Sequence, residues 1–234
     1  MGSPKKAVVL FSGGLDSTTC LFAAQKGGYA VHALTLRYGQ RHLGEVGAAQ
    51  DVAARLPVQQ HLVLDVNLGA MGGSALTSQA LTVPKNGLQA DIPITYVPAR
   101  NTIFLSLALG WAETLEARDI FIGVNAVDYS GYPDCRPEFI VAFERLANLA
   151  TRAGVHGTTY RIHTPLLHLS KVAIIRQGLA LGVDFARTRS CYDPDAEGRG
   201  CRLCDACRIR LTAFQEAGIP DPAPYQDPFP APGP

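Results

Sequence analysis

A short apolar run near the start of the chain, Ala7-Val8-Val9-Leu10-Phe11, gives way at once to Ser12-Gly13-Gly14-Leu15-Asp16-Ser17-Thr18-Thr19, and that junction admits few folds. A run that is apolar throughout reads as a strand covered on both faces, which is how parallel sheets are built. The spacing predicts this strand over 5–11 and a helix over 17–26, closed by Gly27-Gly28. A strand over 29–38, a helix over 40–56 stopped by Pro57 and a strand over 61–66 follow. Strand and helix alternate, so the fold class is α/β with a parallel sheet and right-handed crossovers.

The second half continues the alternation. Residues 67–99 are rich in Gly, Ser, Pro and Thr and read as a functional insert, a lid or a disordered stretch. Helices are expected over 101–117, 137–152, 171–180 and 205–217, and strands over 119–124 and 160–164. The polar, turn-rich stretch 125–136 directly follows a strand's carboxyl end, where open parallel sheets bind ligands. Residues 219–234 are proline-rich and are read as an extended or disordered tail without chemistry of its own. The division expected is a nucleotide-binding and substrate domain over 1–185, a metal-binding helical segment over 186–218 and the tail over 219–234.

The glycine loop has a clear physical use. Gly13 and Gly14 let the backbone turn tightly and bring N–H groups up to a phosphate. The helix start adds unpaired donors and partial positive charge. Ser12, Ser17 and Thr18 add hydroxyls, and Asp16 either caps the helix or orients a magnesium ion. The string lacks the Gly-Lys-Ser/Thr of a Walker A loop. It resembles the Ser-Gly-Gly-x-Asp-Ser loop of the PP-loop (N-type) ATP pyrophosphatases, which holds the pyrophosphate of ATP while a substrate oxygen is adenylated.

Charge and cysteine usage narrow the rest. The formal net charge is +1, which argues against a surface built to hold long nucleic acid. No apolar run is long enough for a bilayer, and the run after Lys5 and Lys6 is too short for a signal peptide, so a cytoplasmic protein is expected. Cys191, Cys201, Cys204 and Cys207 crowd one segment in a C-x9-C-x2-C-x2-C spacing. Four thiolates there suit one structural zinc ion, with an iron–sulfur cluster as the competing occupant and disulfides requiring an oxidising compartment. Arg199, Arg202, Arg208 and Arg210 around them are read as a solvated face, or as compensation for thiolate charge. Cys20 and Cys135 are read as packed, and His61, His156, His163 and His168 are given no role.

Four further stretches carry a closer resemblance: Tyr38-Gly39-Gln40-Arg41-His42; Ile92-Pro93-Ile94-Thr95-Tyr96-Val97-Pro98-Ala99-Arg100-Asn101; the string from Gly123 to Phe139 containing Asp128-Tyr129-Ser130-Gly131-Tyr132-Pro133-Asp134-Cys135-Arg136-Pro137; and Ser190-Cys191-Tyr192. With the phosphate loop, these resemble the 7-cyano-7-deazaguanine synthases, the nitrile-forming enzymes of queuosine biosynthesis, over about residues 6–217. The resemblance implies an adenine nucleotide alpha hydrolase-like, Rossmann-type domain with a small C-terminal zinc-binding segment. It implies ATP-dependent conversion of 7-carboxy-7-deazaguanine and ammonia to the nitrile, with magnesium accompanying ATP. It also implies a homodimer with one structural zinc per chain on Cys191, Cys201, Cys204 and Cys207. The family's ATP-binding stretch falls on Phe11-Ser12-Gly13-Gly14-Leu15-Asp16-Ser17-Thr18-Thr19-Cys20-Leu21. The family carries glycine after the second cysteine, where this sequence has Arg202; the departure touches the local turn and leaves the ligand count intact.

Chemistry then suggests roles. Asn125, Asp128, Tyr129, Tyr132, Asp134 and Arg136 are expected to line the substrate pocket: aromatic rings stack on a planar base, a carboxylate accepts its N–H groups and an arginine pairs with its carboxylate. Asp16, Arg100 and Lys171 are the expected catalytic residues, the two cations offsetting charge that develops at phosphate. Lys171 stands at a predicted helix start, where a cation opposes the helix dipole and so calls for a ligand. Arg41 and His42 are read either as ATP or substrate contacts or as a solvated face. The alternatives are another PP-loop adenylating ligase or tRNA-modifying enzyme, and, in a different class, a zinc-ribbon nucleic-acid-binding module. No glutaminase segment fits in this chain, so free ammonia is the expected nitrogen source, and neither a membrane nor a stable nucleic-acid partner is expected.

Overall fold

The structure is a computed structural model and describes residues 3–41, 44–85, 92–127 and 132–226. Five strands form one parallel sheet: β1 (Lys6–Leu10), β2 (Ala30–Arg37), β3 (Gln60–Asp65), β4 (Asp119–Phe121) and β5 (Arg161–His163), in the order β3-β2-β1-β4-β5. Both neighbours of β1 run parallel to it, with Val8 paired to His32 of β2 and Ile120 of β4. The chain lays down β2 and β3 to one side of β1 and then crosses to the other for β4 and β5. The switch point therefore lies between β1 and β4, and a crevice opens above their carboxyl ends.

The alternation of side chains along β1 builds two cores. Ala7 and Val9, with Phe11 just beyond, face one side, against α1 (Leu15–Lys26), α6 (Lys171–Leu181) and α7 (Asp205–Ala217). Val8 and Leu10 face the other, against α3 (Arg100–Thr114) and α4 (Pro137–Ala150). On the first side α1 and α6 approach so closely that a Cβ on Gly178 would collide with Phe185 and Thr19. α7 enters the same core through Ala213 and Phe214. Among the described residues no helix is long and apolar enough to cross a membrane.

The elements differ from expectation mainly at their ends. The helix expected over 40–56 is α2 (Gly44–Ala53); Gln40 stays outside it, its Oε1 accepting the Tyr38 N–H at 2.7 Å. The helix expected over 137–152 is two. Thr151 leaves α-helical geometry at φ −114°, ψ 151°, and its hydroxyl accepts the Gly154 N–H at the start of the one-turn α5 (Arg152–Val155). α7 starts and ends as the sequence predicts.

The insert over 67–99 holds a short 3-10 helix, Leu68–Met71, and otherwise neither strand nor α-helix among its described residues. It is a wall: Ala75 and Val83 pack with Cys201, Cys204 and Cys207, and Leu76 and Val97 pack with Tyr38. The beginning of the tail is docked as well. Gly200 N donates to Pro224 O at 2.9 Å and Gln226 N to Gly200 O at 3.0 Å, which lays Tyr225 beside the cysteine segment. Proline removes donors and periodicity, but a proline-rich strand can still be bonded through its remaining backbone groups.

Candidate active site

The phosphate loop leaves β1 at the switch point. Gly13 turns it with φ +77°, in the left-handed region that only glycine enters at little cost. The Ser12 and Ser17 hydroxyls lie 3.0 Å apart, and Ser12 Oγ accepts the Gly14 N–H at 3.3 Å. The Thr18 N–H donates to Gly14 O, so the N–H groups of the turn before it have no partner within the helix. Ser12, Gly14, Asp16 and Ser17 face a cavity of about 820 Å³. Thr18, Thr19, Cys20 and Leu21 are buried behind that wall. Gly123, just past β4, presses against the same turn, its missing Cβ falling 3.0 Å from Asp16 O.

Lys171 is the first residue of α6, whose N-cap Ser170 accepts the Ala173 N–H. Its Nζ lies 2.8 Å from each carboxylate oxygen of Asp16, which joins α6 to the phosphate loop across the cavity. The N-cap of α1 is Gly14, and Asp16 sits within the first turn rather than at the cap. Arg100 opens α3 behind Ala99, which holds a left-handed φ of 53°. Arg100 is half-buried and lines the cavity. Burial opposes its charge, but Tyr38, Cys135, Tyr132 and Asp134 around it hold its pKa above the ordinary value.

The stretch after β4 splits between cavity and interior. Tyr132 lines the cavity, with Tyr96 stacked on it at 5.9 Å and 29° and Thr95 Oγ1 3.1 Å from its hydroxyl. Asn125 also lines it, while its Nδ2 donates to Leu166 O and Leu169 O and its Oδ1 accepts the Val127 N–H. Asp134 lies elsewhere: it is buried, and Oδ2 accepts the Asn101 N–H at 2.9 Å, so it ties down the start of α3. Arg136 is exposed and is not among the cavity's residues. Asp128, Tyr129 and His42 lie outside the described residues. Cys135 is packed as expected; burial pushes its thiol up to about 11, and Asn101 Nδ2 donates to its sulfur. Cys20 is wholly buried. Arg41 reaches the cavity wall and donates to Leu81 O at 2.9 Å.

Sequence reasoning missed one wall of the cavity, the run Arg187-Thr188-Arg189-Ser190 that leads into Cys191. Arg189 N donates to Gly13 O at 3.0 Å, strapping this run to the phosphate loop. Tyr192, beyond it, is half-buried against the cavity, and burial and the adjoining Tyr132 raise its pKa well above the ordinary value. The available signal was position: a basic run immediately before a metal-spaced cysteine is held wherever that cysteine is held.

All six cysteines are free thiols, and the sulfurs of Cys191, Cys201, Cys204 and Cys207 lie within 4.8 Å of one another. Cys191 and Cys204 sulfurs stand 3.9 Å apart, against about 3.8 Å for the edge of a tetrahedron with Zn–S bonds of about 2.3 Å. Backbone N–H groups point at the sulfurs: Asp193 N and Cys201 N at Cys191, Tyr192 N at Cys204, and Cys204 N at Cys201. Such donors suit thiolates, and the cluster fits a metal ion with four thiolate ligands and no open position. Arg202 takes a left-handed φ of 63°, a conformation that favours glycine, and its guanidinium lies over the Tyr225 ring at 4.7 Å. Arg210 corrects the expectation of a solvated face. It is 3% exposed and bonds Asp221 through Nε and Nη2 at 2.9 Å each.

Residues 6–218 match the family model described as Queuosine biosynthesis protein QueC. The chain is 58% identical over 226 residues to a protein of Aromatoleum aromaticum, covering 97% of this chain and all of that one. It is 63% identical over 219 residues to one of Thiobacillus denitrificans (94% and 97% covered) and 62% over 223 residues to one of Magnetococcus marinus (95% and 97% covered). All three bear the name 7-cyano-7-deazaguanine synthase. The similarity runs through the phosphate loop, the cavity walls and the cysteine segment alike, rather than through one borrowed module, and the chain belongs to the QueC family.

Proposed function

We propose that this chain is a 7-cyano-7-deazaguanine synthase, making the nitrile from 7-carboxy-7-deazaguanine, ammonia and ATP. One observation carries the reading: a single cavity joins the glycine loop and the Asp16–Lys171 pair to the aromatic wall at Tyr132. A polyphosphate and a planar base thus have adjoining places, and a group carried by the base can meet the α-phosphate between them.

The chemistry follows from what a carboxylate lacks, a good leaving group. The substrate carboxylate oxygen attacks the α-phosphorus of ATP, and the bond to pyrophosphate breaks. Ammonia then attacks the acyl carbon, AMP leaves and the amide results. A second ATP is attacked by the amide oxygen; loss of AMP and the two amide protons gives the nitrile. Ser12, Ser17 and the N–H groups of the first helical turn receive the pyrophosphate. Lys171 supplies positive charge there, with Asp16 holding it in place. Arg100 offsets charge at the α-phosphate, and Tyr132, braced by Tyr96, stacks on the deazaguanine. A magnesium ion accompanies the nucleotide. Cys191, Cys201, Cys204 and Cys207 hold a structural zinc ion. The enzyme works in the cytoplasm as a homodimer, on free ammonia.

The test is incubation of purified protein with magnesium, ATP, ammonium and 7-carboxy-7-deazaguanine, with products followed by mass spectrometry. A nitrile formed only with ATP and ammonium, with AMP released in step, is expected. Folded, metal-loaded protein that makes no nitrile would refute the assignment; ADP in place of AMP would refute the adenylation route.

A further inference from the structure

We propose that Asp221 and Arg210 are positioning residues for the nucleotide site, holding the phosphate loop in shape from the far end of the chain. The inference rests on the ATP-binding reading above. Arg210 projects from α7 into the interior and divides its donors between Asp221 on one side and the segment from Phe185 to Ser190 on the other. Nε and Nη2 grip Asp221 at 2.9 Å each. Nη1 reaches Thr188 Oγ1 at 2.7 Å, and Nη2 also reaches Phe185 O at 2.9 Å. Asp221 is held in turn by Tyr225, whose hydroxyl donates to it at 2.6 Å.

The next residue in this run, Arg189, makes the connection. Its N–H donates to Gly13 O at 3.0 Å, and its own carbonyl oxygen would lie 3.3 Å from a Cβ on Gly14. A peptide's C=O and N–H point opposite ways. Holding the Gly13 carbonyl on Arg189 therefore keeps the Gly14 N–H on the other side, where it donates to Ser12 Oγ. If Thr188 slackens, the Gly13–Gly14 peptide is free to rotate, and a carbonyl oxygen can turn towards the phosphates. Glycine offers little resistance to that rotation, so the restraint has to come from outside the loop. The fork of an arginine suits the task, because it bridges a carboxylate and a hydroxyl at fixed spacing where a lysine cannot.

Three variants test this in metal-loaded protein: Thr188→Val, which removes the acceptor and keeps volume and charge; Asp221→Asn; and Arg210→Lys, which keeps the charge and loses the fork. ATP affinity is measured by calorimetry and turnover at varied ATP, with metal content and melting temperature recorded alongside. All three are expected to raise the Kd and KM for ATP roughly five- to twentyfold, with kcat at saturating ATP within about twofold and metal content unchanged. ATP affinity equal to that of the unaltered protein in folded Thr188→Val would overturn the proposal, even if Asp221→Asn unfolds. An effect in Asp221→Asn alone would also overturn it, since that is a charge effect and not the link through Thr188. If the unaltered protein does not bind ATP, the parent reading falls and this one with it; if it binds and the variants bind as well, only this one falls.

Discussion

Gly123→Ala puts the contact between the end of β4 and the phosphate loop to a quantitative test. The added Cβ would lie 3.0 Å from Asp16 O and 3.1 Å from both Asp16 C and Ser17 N. All three atoms are backbone in the first turn of α1, so no side chain can swing aside. Relaxed contacts of this kind need about 3.5 Å, so the strand end and the turn must part by roughly half an ångström. Overpacking of that kind costs about 1–3 kcal/mol, and the stiffer unfolded chain returns about 0.4–1 kcal/mol, leaving about 1–2 kcal/mol of destabilisation. For a chain of this size that is a fall in melting temperature of roughly 2–8 °C. Since a misplacement of about 1 Å costs on the order of a hundredfold in rate, half that shift is expected to lower kcat/KM for ATP about tenfold. Gly110→Ala is the control: it sits in α3 with nothing within 4 Å of its Cβ, and should raise stability by about 0.5–1 kcal/mol with kinetics unchanged. Melting curves of metal-loaded protein and steady-state rates at varied ATP decide the matter. Gly123→Ala with unaltered stability and kcat/KM would refute the claim that β4 supports the loop.

Lys171→Met is expected to lower kcat about a hundred- to a thousandfold while the protein stays folded, measured in single turnovers; a change confined to KM would show that Lys171 serves binding alone. Metal analysis should return one zinc per chain and no visible absorption from an iron–sulfur cluster. Its removal by a chelator should lower the melting temperature and raise KM for ATP, because Cys191 adjoins the run that straps Gly13. Burial holds the pKa of His61 below its ordinary value, and burial followed by Lys6 does the same for His32. The fold thus favours the neutral rings: their stability is fully present above pH about 6.5 and is lost as pH falls through the lowered folded values. His61→Gln should flatten that acid limb in urea titrations, and an unchanged limb would clear His61 of a part in it.

What the sequence disclosed depended on whether a residue's surroundings were local. The loop from Ser12 to Ser17 is defined by its own neighbours, and so is α7, which opens with Asp205 and ends at Gly218. The cysteines announce themselves by spacing. Asp134 could not be placed by such means: it lies in a motif after β4, but the 3-10 turn Pro133–Cys135 buries its carboxylate under α3. Arg210 had a periodic signal. Cys207, Arg210, Ala213 and Phe214 fall on one face of α7, so a charge there had to find a buried partner. Composition hid that partner, because a proline-rich stretch reads as unstructured when its few polar groups have no visible destination. The docking of Asp221 depends on an arginine that was itself read as solvated, so neither could be inferred alone.

The bond from Arg189 to Gly13 also has a meaning in time. The loop is synthesised well before the strap, and Asp221 follows the loop by on the order of ten to forty seconds at ordinary elongation rates. During that interval β1, β2 and β3 can already pair, because they are contiguous in both sequence and sheet. The nascent chain can therefore hold a folded glycine loop that is not yet restrained, and nucleotide affinity should mature only when α7 and the segment carrying Asp221 have emerged.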